Sequence, residues 1–148
     1  MKAITIWQPY ASLLAVEEKK YETRSWATNY RGPIAIHAAK RPVRQIVDAP
    51  ARSTADQRQA ALLMERLGRP LGGIDHLPTG SIVGTARLVR CNAIDEAFIS
   101  GLTTQELALG DFTPGRYAWE FEEMVFHEQL LPATGKQGLW EYHGTLWG

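Results

Sequence analysis

The stretch Ser81 to Cys91 constrains the fold most, because it is a strand-length run that is apolar in places on both of its faces. Ile82 and Leu88 fall on one face, and Val83 and Val89 fall on the other. Alternate side chains of a strand point to opposite sides, so such a strand must be covered on both sides. The run therefore predicts a central strand of a sheet.

Runs of alternating polarity predict up to six further strands around this one. They are Lys2 to Trp7, Tyr21 to Trp26, Gly32 to Ala38, Arg116 to His127, Leu130 to Pro132 and Leu139 to Tyr142. In the third, Ile34 and Ile36 are expected to point inward, with Ala35 and His37 outward. The alternation slips at Glu122-Glu123, which predicts a bulge or a sharp bend there.

Helices are predicted between these strands. Pro9 opens a short helix that carries Tyr10, Leu13 and Leu14 at helical spacing. The region from Lys40 to Ala55 is predicted as a loop with one helical turn. An insertion-like helix follows from Ala55 to Leu67, capped by Ser53 or Thr54. Asp95 to Ile99 forms a further helical turn, and Thr103-Thr-Gln-Glu106 fits a capping box.

The number of short strands predicts the fold class. Five to seven strands with irregular connections and a few helices are typical of an α+β fold built on a small mixed β-barrel with peripheral helices. With 148 residues, 45% of them apolar, the chain is predicted to form a single domain over residues 1–148.

The composition also excludes several classes of protein. No run of about 18 apolar residues and no secretory signal is evident, so a cytoplasmic protein without a membrane span is expected. Cys91 is the only cysteine, and it is predicted to be a buried strand residue. His76, His127 and His143 lack ligand-spaced neighbours, so neither a metal nor a cofactor is expected.

Charge is unevenly distributed along the chain. The net charge of zero argues against a protein that holds duplex nucleic acid by electrostatic attraction alone. Residues 1–44, however, carry eight Lys and Arg against three Glu, a net charge of +5, and the remainder balances it at −5. This asymmetry favours an anionic ligand on one face, although a solvated surface with no function has the same pattern.

Chemically capable side chains are concentrated between Glu17 and Trp26. On a strand from Tyr21 to Trp26, the side chains of Glu22, Arg24 and Trp26 share one face. Lys19 lies in the preceding turn, from which a flexible side chain is expected to reach the same surface. An acid, a guanidinium, an indole and an ammonium are therefore predicted to form one site.

Three segments resemble a known family. They are Trp7-Gln-Pro-Tyr-Ala-Ser-Leu-Leu, Lys19-x-x-Glu22-x-Arg24-Ser-Trp and Tyr30-Arg-Gly-Pro-Ile-Ala-Ile-His. Together they resemble the ASCH domain, whose signature is Gly-x-Lys-x-x-Glu-x-Arg. Gly115-Arg-Tyr-Ala-Trp-Glu-Phe and Gly135-Lys-Gln-Gly-Leu-Trp also look like its bacterial and phage members. The resemblance implies a PUA-like pseudo-barrel with a cleft lined by the signature residues, and it leaves about 43–73 unmatched as a helical insertion.

The sequence departs from the family signature at one position and from the amidohydrolase members of the family at a second. Glu17 stands where the signature has glycine, so a turn that normally uses glycine's torsional freedom is made by Glu17-Glu18. Some small bacterial members are amidohydrolases that remove an acyl group from modified cytidine, and others are described as ribonucleases. In the amidohydrolases a threonine nucleophile stands at the position of Glu22, and the signature lysine activates it.

The first of three functional hypotheses is binding of RNA, another single-stranded nucleic acid or a nucleotide-like ligand. Lys19, Arg24, Arg31 and Lys40 are predicted to contact phosphates, and Trp7, Tyr10 and Trp26 to stack on unpaired bases. Gln8, Glu22 and His37 complete this predicted site. His37 has a second interpretation as a hydrogen-bonded structural residue.

Two other hypotheses remain open. A hydrolase acting on RNA or an acylated cytidine would use Lys19 and Glu22 as its catalytic residues, with Glu22 as general base. Alternatively, Lys19, Glu22 and Arg24 form only a structural ion-pair network in a protein-interaction module. Separately, Gly135-Lys136-Gln137-Gly138 could contact phosphate through Lys136 and backbone amides, although its spacing is wrong for a P-loop and favours a tight turn.

Overall fold

A computed structural model describes residues 1–48 and 57–146 of the chain. Six strands form one sheet: Lys2–Ile6 (β1), Tyr21–Arg24 (β2), Gly32–Ala38 (β3), Ser81–Ala93 (β4), Tyr117–Pro132 (β5) and Leu139–Glu141 (β6). The helices are Tyr10–Ala15 (α1), Val43–Val47 (α2), Gln57–Gly68 (α3), Glu96–Ser100 (α4) and Thr104–Ala108 (α5). The mixed α+β class predicted from the sequence is confirmed.

The sheet is a curled half-barrel with the strand order β2-β5-β4-β3-β1-β6. β4 pairs with β3 on one side and β5 on the other, which confirms its predicted central position. β1 and β3 are parallel, and all other neighbours are antiparallel. Register shifts within both β3/β4 and β4/β5 bend the long strands, as bulges do in small barrels.

β5 corrects one prediction and confirms another. It runs without a break from Tyr117 to Pro132, so a separate strand at Leu130 is wrong. The bulge predicted at Glu122-Glu123 is confirmed. Glu123 has a φ of 54°, and the register between β4 and β5 shifts beside it. A bulge changes which residues face inward without ending the strand, and so its sequence pattern looks like two strands.

β3 is buried on both faces, contrary to the prediction that Ala35 and His37 point outward. Ile34 and Ile36 belong to the main core, which also contains residues of α1. Ala35 packs with Trp140 in a second cluster on the opposite face. The expectation failed because alanine and histidine suit a covered face as well as an open one, and the covering residues come from the distant C-terminal part of the chain.

α1 rests on the sheet and is fixed at its start by Gln8. The Gln8 side chain accepts a hydrogen bond from the Ser12 backbone N–H at 2.9 Å and donates to the Pro78 carbonyl at 2.8 Å. At Gly84 of β4, an added Cβ would lie 2.9 Å from the Val125 carbonyl oxygen and 3.1 Å from Ala15 Cβ. The absence of a side chain at this position therefore lets α1 approach the sheet closely.

The predicted insertion packs against the outer side of α1. α2 and α3 share a cluster of buried residues with Leu13 of α1 and with Leu109. The predicted helix start at Ser53 or Thr54 lies outside the described residues. Within the described ranges, no helix is long and apolar enough to cross a bilayer.

Candidate ligand-binding cleft

A cleft of about 430 Å³ opens where β1 ends, between α1, β2 and the segment that precedes β5. Six of the ten predicted ligand residues line it: Trp7, Tyr10, Lys19, Glu22, Arg24 and Trp26. The remaining lining residues are Thr5, Ile6, Thr23, Ser25, Leu109, Gly110, Asp111 and Arg116. The structure thus brings the signature lysine, acid and arginine together with three aromatic side chains.

The turn after α1 positions Lys19. Backbone N–H groups of Glu17 and Glu18 donate to the carbonyls of Leu14 and Leu13 at 3.0 and 2.9 Å. These are the two bonds of a Schellman motif, in which the residue after the C-cap has a left-handed conformation. Glu17 occupies that position with a φ of 64°. The turn that glycine makes in the family signature is therefore kept here, at the cost of strain at Glu17.

Lys19 is buried at the bottom of the cleft, with 3% of its surface exposed. This differs from the flexible surface lysine that the sequence suggested. Its ammonium lies 3.6 Å from Glu106 Oε2. The same ammonium lies 5.7 Å from the ring centre of Tyr10 and 5.8 Å from that of Phe112. Burial lowers the pKa of Lys19 from its usual 10.5, and the nearby charges of Glu106 and Glu22 offset part of that effect.

Glu106 is a site residue that sequence reasoning missed. Its carboxylate accepts hydrogen bonds from the backbone N–H groups of Lys20 at 2.7 Å and Tyr21 at 3.3 Å, besides its ion pair with Lys19. The sequence identified it only as part of a capping box. Thr103 does cap α5, accepting from the Glu106 N–H at 3.1 Å, but the Glu106 side chain turns toward β2. α5 therefore holds the start of β2 in place.

Glu22 and Arg24 form the predicted pair on one face of β2. Arg24 Nε lies 2.9 Å from Glu22 Oε2, and its terminal nitrogen donates to the Thr5 carbonyl at 2.6 Å. The guanidinium therefore joins edge strand β2 to the end of β1 across the cleft. These contacts are the ones expected of a structural ion-pair network, and they also leave two polar groups with fixed positions inside the cleft.

Aromatic side chains border the cleft. Trp7 is 48% exposed, and the Arg41 guanidinium lies 4.2 Å from the centre of its ring. Trp26 is half-buried and meets Trp119 edge to face at 4.9 Å. Trp119, fully buried, donates its indole N–H to the Trp26 carbonyl at 3.1 Å. Trp7 thus keeps about half of its surface exposed beside the polar floor, with the Arg41 guanidinium against its ring, whereas Trp26 is fixed by the core.

Asp111 and Arg116 are two further cleft residues that sequence reasoning missed. Arg116 Nε lies 3.5 Å from an Asp111 carboxylate oxygen, and its terminal nitrogen donates to the Thr23 carbonyl at 3.3 Å. The Thr23 hydroxyl accepts from the Asp111 backbone N–H, also at 3.3 Å. The Thr23 side chain is thereby engaged with the segment that precedes β5.

Four predicted ligand residues lie outside the cleft. Gln8 is fully buried and caps α1. Arg31 is exposed and donates to the Thr28 and Tyr30 carbonyls, close to it in sequence. His37 is buried, and its ring nitrogens contact Thr5 Oγ1 at 3.2 Å and the Ala133 carbonyl at 2.7 Å. Lys40 is exposed at a neighbouring groove. The described residues contain no group of three or more His, Cys, Asp or Glu arranged to hold a metal.

A comparison with family models identifies the relationship that the motif indicated. The model described as the ASCH domain matches residues 4–131, which include every residue that lines the cleft. This chain belongs to the ASCH family. Its PUA-like fold agrees with the half-barrel described above, and the family is generally thought to bind RNA.

This ASCH domain was also compared with solved structures and with curated proteins. It is similar to the crystal structure of a point mutant of ZmASCH from Zymomonas mobilis, with 13% identity and a TM-score of 0.47. The alignment covers 88% of this chain and 74% of that one. No curated protein matches the chain.

Proposed function

We propose that this ASCH domain binds RNA by accepting one unpaired base in the cleft. The observation that carries the proposal is the combination of an exposed Trp7 at the rim with fixed acid and guanidinium groups below it. Proteins that recognise single-stranded RNA stack unpaired bases on aromatic side chains and bond the polar edges of those bases. The cleft offers both kinds of contact within one space.

The balance of charge in the cleft favours a base over a phosphate. Three cations line it, Lys19, Arg24 and Arg116, and each has a carboxylate within 3.6 Å. Paired cations attract a phosphate weakly, because their carboxylates repel it. A base edge presents donors and acceptors side by side, so it can bond a carboxylate and a guanidinium together. The proposal therefore assigns Glu22 and Arg24 to the base rather than to the sugar-phosphate backbone.

The size of the cleft supports a ligand of nucleoside dimensions. Its volume of about 430 Å³ lies in the lower part of the range of small-molecule sites, which is roughly 300 to 1,000 Å³. A base and its ribose are small enough to enter such a space, whereas an RNA duplex is too wide for it. This agrees with the zero net charge, since a single-stranded ligand needs only a local field.

The proposal is tested by fluorescence polarisation with labelled single-stranded RNA of random sequence. Trp7→Ala should weaken binding by about 1 to 3 kcal/mol, which is about 5- to 150-fold, because one stacking surface is lost. Trp7→Phe should retain most of the affinity. Leu62→Ala, which removes an equally exposed apolar side chain from α3, serves as the control and should bind as the wild type does.

Two results would contradict RNA binding in the cleft. One is a wild type that shows no salt-sensitive binding to RNA oligonucleotides. The other is a Trp7→Ala variant that binds as tightly as the wild type, which would place the RNA elsewhere. Glu22→Gln adds a further check, because exchange of an acceptor oxygen for a donor nitrogen should change which base is preferred.

A second candidate function, hydrolysis, is favoured by one observation. The Lys19 amine is buried with a lowered pKa and lies in a cleft with Glu22, and such perturbed groups are concentrated at catalytic sites. Glu22 would act as general base for a water that cleaves the amide of an acylated cytidine, releasing the acid and the free nucleoside. Thr23 does not serve as a nucleophile in this mechanism, because its hydroxyl accepts a hydrogen bond from the Asp111 backbone N–H. The mechanism therefore uses a general base and a water in place of the threonine of the amidohydrolases.

Hydrolysis is tested by incubation of the protein with N-acylated cytidines and with labelled RNA, followed by chromatography of the products. The wild type should release product, and Glu22→Gln should lower the rate by at least the 100-fold typical of a lost general base. Equal product yields from the wild type and Glu22→Gln would exclude this mechanism and leave binding as the function of the cleft.

A further inference from the structure

A second, larger groove lies beside the cleft and shares one wall residue with it. This groove, which we call the lysine groove, has a volume of about 950 Å³. It is formed by the end of β3, the turn at Thr79-Gly80 and the segment from Pro132 to Gln137. Thr5 of β1 lines both spaces. The two are therefore adjacent, at the ends of the parallel strands β1 and β3.

The charge of the lysine groove differs from that of the cleft. Lys40 and Lys136 line it, and its described lining includes neither Asp nor Glu. Neither lysine has a carboxylate partner within the described ranges, whereas every cation of the cleft has one. The hydroxyls of Thr79 and Thr134 and the amide of Gln137 add neutral polar groups. The groove is thus a polar surface with uncompensated positive charge.

Hydrogen bonds fix the wall of the groove. The His37 ring donates from Nε2 to the Ala133 carbonyl at 2.7 Å, so the neutral ring accepts at Nδ1 from the Thr5 hydroxyl at 3.2 Å. Trp140 donates its indole N–H to the same hydroxyl oxygen at 3.0 Å. Burial lowers the pKa of His37, which keeps the ring neutral. The positive charge of the groove therefore comes from its two lysines.

The loop that carries Lys136 is held close against this wall. A Cβ at Gly135 would lie 2.6 Å from Thr5 Oγ1 and 2.7 Å from His37 Cε1, so only glycine allows the approach. Across the groove, the aliphatic part of Lys40 passes 3.8 Å from the Cβ position of Gly80. The backbone next to Lys136 is thus held against the wall, and the side chain of Lys40 packs beside Gly80.

We propose that the lysine groove binds the sugar-phosphate backbone of the nucleotides next to the base held in the cleft. This inference rests on the proposed function. Unpaired lysines, hydroxyls and amides are the groups that contact phosphate and sugar oxygens in complexes with nucleic acids. With more than twice the volume of the cleft, the groove accommodates more than one nucleotide. Specificity then resides in the cleft, and affinity that grows with strand length resides in the groove.

The test compares labelled random-sequence RNAs of two and six nucleotides. The wild type should bind the hexanucleotide more tightly than the dinucleotide. The double variant Lys40→Ala/Lys136→Ala should lose most of this difference in affinity. Its affinity for the dinucleotide should stay within about twofold of the wild-type value. Single strands lose about 0.7 in salt slope for each phosphate contact removed. For the variant, the plot of log affinity against log salt concentration should therefore be shallower by about 1.4. Over a tenfold rise in salt, the variant should lose about 25-fold less affinity than the wild type does.

A matched control removes two positive charges elsewhere. Arg66→Ala/Arg69→Ala changes two arginines at the end of α3 and in the turn after it, outside both the cleft and the groove. It should retain the length advantage and the salt slope of the wild type. A hexanucleotide with one base and five abasic sites should also retain the advantage with the wild type, because the groove contacts the backbone.

Each remaining outcome has a definite meaning. If the lysine variant keeps the length advantage and the salt slope, the inference is overturned while base binding in the cleft stands. If the abasic hexanucleotide binds no better than the dinucleotide, recognition of the backbone is overturned. If the wild type binds no RNA of either length, the proposed function fails, and the inference that depends on it fails too.

Discussion

Replacement of Glu17 by glycine should stabilise the protein, because Glu17 has the left-handed conformation required at the end of α1. That conformation costs a residue with a side chain about 1 to 2 kcal/mol relative to the right-handed one. Glycine avoids the cost but loses about 0.5 to 1 kcal/mol of extra backbone freedom on folding. The net expectation is a gain of about 0.5 to 1 kcal/mol in the free energy of unfolding.

Equilibrium unfolding in urea measures this gain as a higher midpoint at an unchanged slope. In thermal unfolding the same gain raises Tm by about 1 to 4 °C for a chain of this size. Glu17→Ala is the matched control, since it removes the carboxylate and keeps the Cβ. It is needed because a negative charge is unfavourable at the C-terminal end of a helix, and its loss alone has an effect.

The difference between the glycine and alanine variants therefore isolates the backbone strain. A Glu17→Gly protein no more stable than Glu17→Ala would refute the assignment of strain to this residue. Glu18→Gly gives the opposite expectation. Among the described residues other than glycine, only Glu17 and Glu123 have positive φ, so glycine at position 18 should destabilise by about 0.5 to 1 kcal/mol.

Three further perturbations test the positioning of the cleft. Burial lowers the pKa of Lys19, so between that lowered pKa and the usual 10.5 the unfolded chain binds a proton that the folded chain does not. The free energy of unfolding of the wild type, measured in urea relative to that of Lys19→Met, should therefore rise with pH across that range. A difference between the two proteins that does not change with pH would contradict this. Lys20→Met, which changes an exposed lysine, is the control. Glu106→Ala should lower the free energy of unfolding by about 3 kcal/mol, because it leaves the buried Lys19 ammonium without its carboxylate partner. Glu106→Gln keeps an acceptor for the β2 backbone and should lower the free energy of unfolding by less in the same urea titration. Gly84→Ala should destabilise by about 1 to 3 kcal/mol in thermal unfolding, because its Cβ meets Ala15 and the Val125 carbonyl.

Local patterns predicted the parts of this fold that depend on neighbours in sequence. The two apolar faces of Ser81 to Cys91 identified the central strand, and the slip at Glu122-Glu123 located a bulge. The spacing of Glu22 and Arg24 placed their side chains on one face, where they form an ion pair. In each case the alternation of a strand alone determines the result.

The rest of the cleft depends on contacts between distant parts of the chain. Glu106 bonds the backbone of Lys20 from 86 positions away, and Arg116 bonds the Thr23 carbonyl from 93 positions away. No spacing rule relates such residues. The burial of Lys19 likewise depends on distant residues, since Tyr10 of α1, Glu106 of α5 and Phe112 surround its ammonium. Sequence therefore identified the signature residues but not the acid that pairs with the lysine.

Thr5 shows how the sheet relates the cleft to the lysine groove. It is paired with His37 in the parallel ladder of β1 and β3, so the ends of both strands lie side by side. Its carbonyl accepts from Arg24 in the cleft, and its hydroxyl bonds His37 and Trp140 in the wall of the groove. The backbone and the side chain of one residue thus hold the cleft and the lysine groove in fixed relation. If RNA binds as proposed, a rigid relation of this kind spares the strand the entropy of ordering two independent sites, because a base in the cleft places the next phosphates at the groove.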